Sequence, residues 1–393
     1  MKKFSEYSIP KFLAWLSISL LTVLIASCGG NTGGMGTVGV SLTDAPACGF
    51  DAVYVTVTKV RVHQSSAASD TDAGWTDITL NPARKINLLS FTNGALDSLG
   101  EAPLAAGHYT QLRLVLDDTA GANSVVLSGT ITEIPLITPS ATKSGIKLIN
   151  GFDVAAGQHV DLVLDFNACK SIVKRGNSGN YALKPVIKVL PYALNGIGGF
   201  VDAGLLGSGV VVSAQQNGVI AQSTVPNSQT GEFLLSRLPI GSYDVVIAAD
   251  LHATAVIATV PVTSSAHTVN LNAATKPITL PVSATHVVSG AAILSPPSST
   301  EVAYVTAKQT IGAALITANT VAADDLTGAY TMTLPVDTPL FGQYAAPLPM
   351  LTAQPRAAGL YTMNASAIGY QTSLPAIVYI FASDVTQNFT LVP

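Results

Sequence analysis

The sequence predicts an all-β protein, a signal peptide followed by antiparallel β-sandwich domains in series. Three observations predict it. β-Branched residues alternate with polar ones in short runs, and Gly, Pro, Asn and Asp punctuate those runs. Apolar spacing of helical period is scarce. Alternation with period two is the mark of a strand with one buried face, and the punctuating residues are those that turns require.

The N-terminus comes first. Lys2, Lys3 and Lys11 make a basic leader, an apolar run extends from Phe12 to Ala26, and small residues precede Cys28. A charged leader, a short apolar stretch and a small-residue end describe a secretory signal. A membrane-spanning helix would need about 20 apolar residues, more than this run supplies. Ile25, Ala26 and Ser27 before Cys28 resemble the lipobox of bacterial lipoproteins. The resemblance implies a diacylglyceryl thioether on Cys28, cleavage before it and acylation of the new amine, so that the chain meets the membrane through lipid. Gly29 stands where an aspartate would resemble an inner-membrane retention signal, which implies the outer membrane. Residues 28–37 are glycine-rich and uncharged, as suits a flexible tether.

Composition narrows the function classes. After residue 27 about 366 residues remain, enough for two or three domains. Charged residues make up 11% of the chain, against roughly 25% in ordinary soluble proteins. The formal charge of −4 offers no basic stripe, which argues against nucleic acid as a partner. With Cys28 lipidated, Cys48 and Cys169 remain as an even pair in a compartment that permits disulfides. The alternative for them, a metal site, needs two further ligands that no nearby histidines offer.

The clearest strand is Asp51–His63. Val53, Val55 and Val57 share one face, while Val60 and Val62 have the opposite parity, so a β-bulge is expected near Thr58-Lys59. In His108–Leu116 the inward set is Thr110, Leu112, Leu114 and Leu116, leaving Gln111 and Arg113 outward. In His159–Phe166 it is Val160, Leu162, Leu164 and Phe166, with Asp161 and Asp165 outward. A strand over Tyr181–Leu190 ends at Pro191. Cys48 precedes one strand and Cys169 follows another, so antiparallel pairing of Asp51–His63 with His159–Phe166 would bring the sulfurs together.

Asn195–Gly199 reads as a linker, and a diverged repeat follows it. One copy holds Thr230-Gly231-Glu232-Phe233, then Leu238-Pro239-Ile240-Gly241-Ser242-Tyr243, and closes with Thr268–Leu271. The other holds Thr327-Gly328-Ala329-Tyr330, then Gly359-Leu360-Tyr361, and closes with Asn388–Leu391. Ala273–Ala284 would separate the copies, and the five-proline insertion Pro335–Ala358 reads as a loop. The expected domains are residues 1–27 (signal), 28–37 (tether), 38–192, 196–273 and 284–393.

Gly199-Phe200-Val201, Thr230–Phe233 and Leu238–Tyr243 resemble the carboxypeptidase regulatory-like module, a transthyretin-like β-sandwich. Ser289-Gly290-Ala291, Thr327–Tyr330, Gly359–Tyr361 and Gly369-Tyr370 match it less fully. The resemblance implies a fold and an extracytoplasmic setting, and no catalytic residues. Residues 36–192 resemble the domain of unknown function 4382 family of bacterial lipoproteins. That likeness rests on Val40–Pro46, Val53–His63, Trp75, Leu88-Leu89, Asn93-Gly94 and Gly107–Leu114. The family has no established activity to carry over.

His63, His108, His159, His252, His267 and His286 are too scattered for local metal-ligand pairs and read as strand-end residues facing solvent. No nucleophile elbow, P-loop or dinucleotide fingerprint occurs. Asp117-Asp118, Asp161 with Asp165, and Asp324-Asp325 lack the spacing of a calcium loop and read as solvated turns, with Arg113 facing a neighbouring aspartate. Asp44-Ala45-Pro46 reads as an aspartate bonding its own turn. Trp75, Tyr109, Tyr243 and Tyr370 would be sugar-stacking platforms if exposed, and core plugs if not. The expected function is that of a noncatalytic, lipid-anchored cell-envelope protein for adhesion, scaffolding or assembly, without cofactor. Its expected partners are the membrane and an envelope glycan or protein. The alternative is a carbohydrate-binding lipoprotein, with Trp75, Tyr243 and Tyr370 stacking on the sugar.

Overall fold

The computed structural model describes residues 34–45, 49–91, 94–138, 144–148, 151–176, 179–191 and 195–393. The signal peptide, Cys28, Cys48 and Pro46 lie outside the described residues. The protein is all-β, as the alternation predicts, and its strands gather around three main apolar cores.

The first core lies among β1 (Met35–Ala45), β2 (Phe50–His63), β3 (Thr76–Asn87), β4 (Asp97–Ala105), β5 (Gly107–Tyr109), β6 (Gln111–Leu116) and β7 (Ser124–Leu127). It continues through β8 (Glu133–Ile137), β9 (Ile146–Leu148), β10 (Phe152–Val154), β11 (His159–Asn167), helix α1 (Ala168–Ser171), β12 (Ile172–Arg175), β13 (Asn180–Leu183) and β14 (Ile187–Pro191). One sheet runs β14-β11-β1-β4 and the other β12-β13-β8-β7-β2-β6-β9, with β3 beside β2. The predicted bulge is present: the β2 register shifts between Val57 and Lys59 against both β3 and β6. That extra residue lets Val53, Val55, Val57, Val60 and Val62 all reach the core at 0% exposure.

Several expectations are corrected. β1 begins at Met35, inside the stretch expected to be tether. His108–Leu116 breaks at Thr110 into β5 and β6, and Tyr181–Leu190 breaks into β13 and β14. β2 and β11 lie in different sheets, so the antiparallel pairing expected to bring the cysteines together does not form. Instead β1 runs parallel to β11, with Ala45 opposite Asn167. The chain heading for Cys48 and the chain heading for Cys169 therefore leave the sheet at the same end.

The second core lies among β15 (Gly196–Phe200), β16 (Val211–Gln216), β17 (Val219–Thr224), β18 (Glu232–Ser236), β19 (Gly241–Ala248), β20 (Ala255–Val262) and β21 (Thr268–Asn270). The third lies among β22 (Thr285–Leu294), β23 (Tyr304–Ile311), β24 (Ala314–Ala322), β25 (Ala329–Pro335), β28 (Leu360–Ser366), β29 (Ala376–Tyr379), β30 (Val385–Thr386) and β31 (Phe389–Leu391). Between β25 and β28 come β26 (Leu340–Gln343) and β27 (Thr352–Ala353). The two units share one topology. β15 pairs antiparallel with β18 and parallel with β21, as β22 pairs with β25 and then with β30 and β31. The facing sheets run β17-β16-β19-β20 and β24-β23-β28-β29. The diverged repeat is thus a repeat of strand order.

The repeated turn glycine has a steric cause. Gly231 and Gly328 take φ of +70° and +68°, where a Cβ would stand 2.3 Å from the Val201 carbonyl oxygen and 2.8 Å from that of Ala292. Each carbonyl of these glycines also accepts the opening strand's amide, from Val201 and from Ala292. A left-handed turn pressed on backbone admits only glycine.

Two further expectations fall here. Asn195–Gly199 is no linker: Gly196–Phe200 is the middle strand of a three-stranded sheet and is mostly buried. The insertion Pro335–Ala358 is not simply a loop, because β26 pairs in parallel with β20 and extends the second unit's sheet. Gly231→Ala and Gly328→Ala should each lower stability by roughly 1–3 kcal/mol in chemical denaturation. Gly207→Ala, where a Cβ meets nothing within 4 Å, should be close to neutral.

Candidate functional site

The three units meet, and a set of buried and half-buried polar contacts ties them together. Between the first and third units, the Asp325 carboxylate pairs with the Lys184 ammonium at 2.6 Å and with the Arg175 guanidinium at 3.1 Å. The Gly176 amide donates to Asp324 Oδ2 at 2.7 Å, and the Tyr304 hydroxyl donates to the Lys170 carbonyl at 2.9 Å. Between the second and third units, Gln215 and Thr317 form a buried two-way amide bond: Gln215 Nε2 donates to the Thr317 carbonyl at 2.9 Å and Gln215 Oε1 accepts from the Thr317 amide at 2.7 Å. Between the first and second, the Lys188 ammonium donates to the carbonyls of Ile220 and Ala221 at 3.1 and 2.7 Å, and Arg237 donates to the Gly94 carbonyl at 3.0 Å. A fourth apolar cluster of Val246, Val256, Ala258, Ile311, Ala314, Ile316 and Ala357 seals the second unit to the third.

Where these seams converge they leave a cleft of about 530 Å³. The first unit supplies Asp165, Asn167, Lys170 and Lys188, the second Gly218, Val219, Ile220, Gln222 and Ser223, and the third Thr306, Lys308, Thr317, Thr320, Asn364 and Ser366. Asp165 is only 5% exposed because the second unit covers that face of β11, so its expected outward, solvated position is corrected. Burial pushes its carboxyl up to about 6, with Lys188 and Arg237 pulling the other way. Asp165 Oδ1 and Gln222 Oε1 are buried with no hydrogen-bond partner among the described residues. Burial lowers the Lys170 ammonium, and the neighbouring positive charge of Lys188 lowers it further. Desolvation lowers Lys188 too, opposed by Asp165.

The residues singled out from sequence lie elsewhere. Cys28 and Cys48 are outside the described residues, and Cys169 sits in α1, next to Lys170. Tyr243 is 1% exposed with its hydroxyl donating to the Pro239 carbonyl, and it plugs the second core, so it is no sugar platform. Tyr109 is likewise buried, its hydroxyl on the Ala105 carbonyl. Tyr370 packs on the third core and donates to the Pro296 carbonyl. Trp75 is half-buried beneath two cations, with the Arg61 and Arg113 guanidinium carbons 4.8 and 4.9 Å from the ring centroid and His63 at 5.0 Å. Its ring is already occupied from within the protein. The segment carrying Ala68 and Trp75 also buries Gln111 and Arg113, expected outward. Arg113 donates to the carbonyls of Ala68 and Ser144 and, among the described residues, does not pair with an aspartate.

Asp324-Asp325, expected as a solvated turn, is the clamp on the first unit. Asp117 accepts from the Thr119 amide at 2.7 Å and closes its own turn. His108, His159 and His286 each face one carboxylate, Asp153, Asp161 and Asp384, at the surface. Among the described residues no three His, Cys, Asp or Glu side chains gather as metal ligands, and no helix is long and apolar enough to cross a membrane. The cleft lysines 170, 188 and 308 were missed because they sit on three separate segments that no sequence window spans.

Residues 35–185 match the model of a domain of unknown function, DUF4382. The match covers the first unit up to the segment before β14. The DUF4382 segment thus supplies Asp165, Asn167 and Lys170 to the cleft, while the other two units complete it. No curated protein matches the chain. Among solved structures, the chain is similar to the Bacillus anthracis TIE protein at 9% identity and a TM-score of 0.17, covering 92% of this chain and 50% of that one. The chain therefore spans about half the length of that protein. It is also similar to BcpA, the major pilin subunit of Bacillus cereus, at 11% identity and a TM-score of 0.17, covering 91% of this chain and 99% of that one. The Corynebacterium diphtheriae major pilin SpaA gives 10% identity and a TM-score of 0.21, covering 91% and 100%. Superpositions this loose have no bearing on function.

The buried carboxyl gives a pH signature. Asp165 binds a proton near pH 6 when folded and near its ordinary 3.8 when unfolded, so the folded chain holds more protons in between. Stability therefore falls as pH rises through that window. Asp165→Asn should remove this dependence and leave the variant the more stable above pH 6, by about 3 kcal/mol at most. Urea denaturation of both proteins across pH 4 to 7 measures the difference.

Proposed function

We propose that this chain is a noncatalytic, lipid-anchored scaffold of the cell envelope that holds three β-units as one stiff body. The observation that carries the reading is the set of seams. Each pair of units is tied by directional bonds; the Gln215–Thr317 contact is buried and the Asp325 contacts are half-buried. Units meant to move independently meet through smaller, wetter contacts. The anchor reading rests on the basic leader, the apolar run and the small residues before Cys28. Several acyl chains, each stabilised by about 0.8 kcal/mol per buried methylene, would hold such a body durably at the outer membrane. Within the first unit we propose a Cys48–Cys169 disulfide, supported by the parallel β1–β11 register that sends both segments off the same end of the sheet. Closing that loop of about 120 residues would stabilise the fold by roughly 4–5 kcal/mol in the chain-entropy model.

Calorimetry tests the stiff-body reading. The wild type should unfold in one cooperative transition. Asp325→Asn, which leaves Lys184 unpaired at a seam, should cost about 3 kcal/mol and broaden or split it. Three separate transitions in the wild type would overturn the reading. So would turnover of ester, peptide or glycan substrates by pure protein that vanishes on changing one polar residue.

The covalent chemistry has its own measurement. Mass spectrometry of protein extracted from its envelope should find an acylated Cys28 as the N-terminus and a peptide pair linking Cys48 to Cys169. A free, alkylatable thiol at both positions refutes the disulfide, and an unmodified Cys28 refutes the anchor.

A further inference from the structure

The cleft between the three units has a charge pattern the scaffold does not need. Three ammonium-bearing residues, Lys170, Lys188 and Lys308, line it together with one buried carboxyl, Asp165. Lys188 is held by two backbone carbonyls, while Lys170 and Lys308 have no ion pair or side-chain hydrogen bond among the described residues. In a chain where charged residues are 11% of the total, three like charges gathered in one concavity are costly unless something opposite meets them. The rest of the lining both donates and accepts: Ser223, Thr306, Thr320, Asn364 and Ser366, above the buried acceptors of Asp165 and Gln222. At about 530 Å³ the cleft falls within the range of small-molecule sites. An apolar ligand would strand these polar groups, and a bare inorganic anion would leave most of the hydroxyl wall unused.

We propose that this cleft binds an acidic saccharide, its carboxylate between Lys170 and Lys308 and its hydroxyls on the Thr, Ser and Asn wall. The site recognises sugar by charge and hydrogen bonds, without an aromatic platform. All three units contribute to it, so a bound ligand stabilises the closed arrangement of the seams over any opened one. The inference does not rest on the scaffold reading: a chain that unfolds in several transitions could still bind, and a stiff chain could fail to.

The test is calorimetric titration of the full chain in detergent with three probes: digalacturonate, the neutral disaccharide cellobiose, and inorganic phosphate. Digalacturonate should bind saturably and more weakly as salt rises. Cellobiose and phosphate should each bind at least about tenfold more weakly, as expected when charge-assisted or hydroxyl bonds are lost. Lys170→Gln and Lys308→Gln should each weaken digalacturonate roughly 10- to 100-fold. Lys170→Arg should retain most of the affinity, and Lys276→Gln, outside the cleft, all of it. Thermal unfolding of each variant separates lost binding from lost folding, and the arginine variant keeps the charge test valid if a glutamine variant unfolds. No binding of digalacturonate, equal binding of phosphate, or affinity unchanged in a folded Lys170→Gln, Lys308→Gln double variant would overturn the proposal.

Discussion

The architecture turns on four parallel backbone pairs, in which Leu340–Gln343 of β26 lies along Ala255–Ala258 of β20. β20 would otherwise be an open edge, with a row of unsatisfied amides and carbonyls. The third unit covers it with its own chain, and the junction follows from that. Phe341 lies against Gly312 at the β23–β24 turn, where any larger residue would collide with its ring. This packing closes the apolar seam of Val246, Val256, Ile311 and Ile316, and that seam places Thr317 opposite Gln215. The prolines of the insertion suit this role, since they set the chain's direction on either side of a short edge strand without competing for its hydrogen bonds.

Part of the charge serves the seams. Asp324 and Asp325 clamp the first unit, Lys188 reaches the second, and Lys170 and Lys308 line the cleft between them. Within each unit the core is apolar, mostly Val, Leu, Ile and Ala with some Phe and Met, and its buried tyrosines end their hydroxyls on backbone carbonyls. The same placement explains why Asp165 is expensive when ionised. It lies on the face of β11 that the second unit covers, so it has lost water, and the pull of Lys188 and Arg237 does not make up that loss.

Strand alternation, the β2 bulge and the turn glycines were legible because each is a local property. Parity of side chains along one strand tells which face is apolar, and a φ near +70° demands glycine whatever lies beyond. The site was not legible. Gln111, Arg113 and Asp165 have the outward parity of polar residues, and parity cannot say whether another segment will lie on the outer face. The aromatics failed for the mirror reason: Tyr243 follows a glycine turn whether it plugs a core or meets a ligand, and only the packed sheet decides. The linker reading of Asn195–Gly199 failed because glycine also serves where sheet backbones press close, as Gly196 does on the Leu235 carbonyl.

By itself the sequence determined an all-β chain, a duplicated glycine-turn unit and the inward face of most long strands, because these depend on interactions within a few residues. The tertiary structure alone decided which strands are neighbours, that a proline-rich insertion becomes an edge strand, and that lysines 170, 188 and 308 share a cleft. Those outcomes depend on contacts between segments tens to more than a hundred residues apart, whose closure is set by the burial of whole faces and leaves no periodic trace in any one of them.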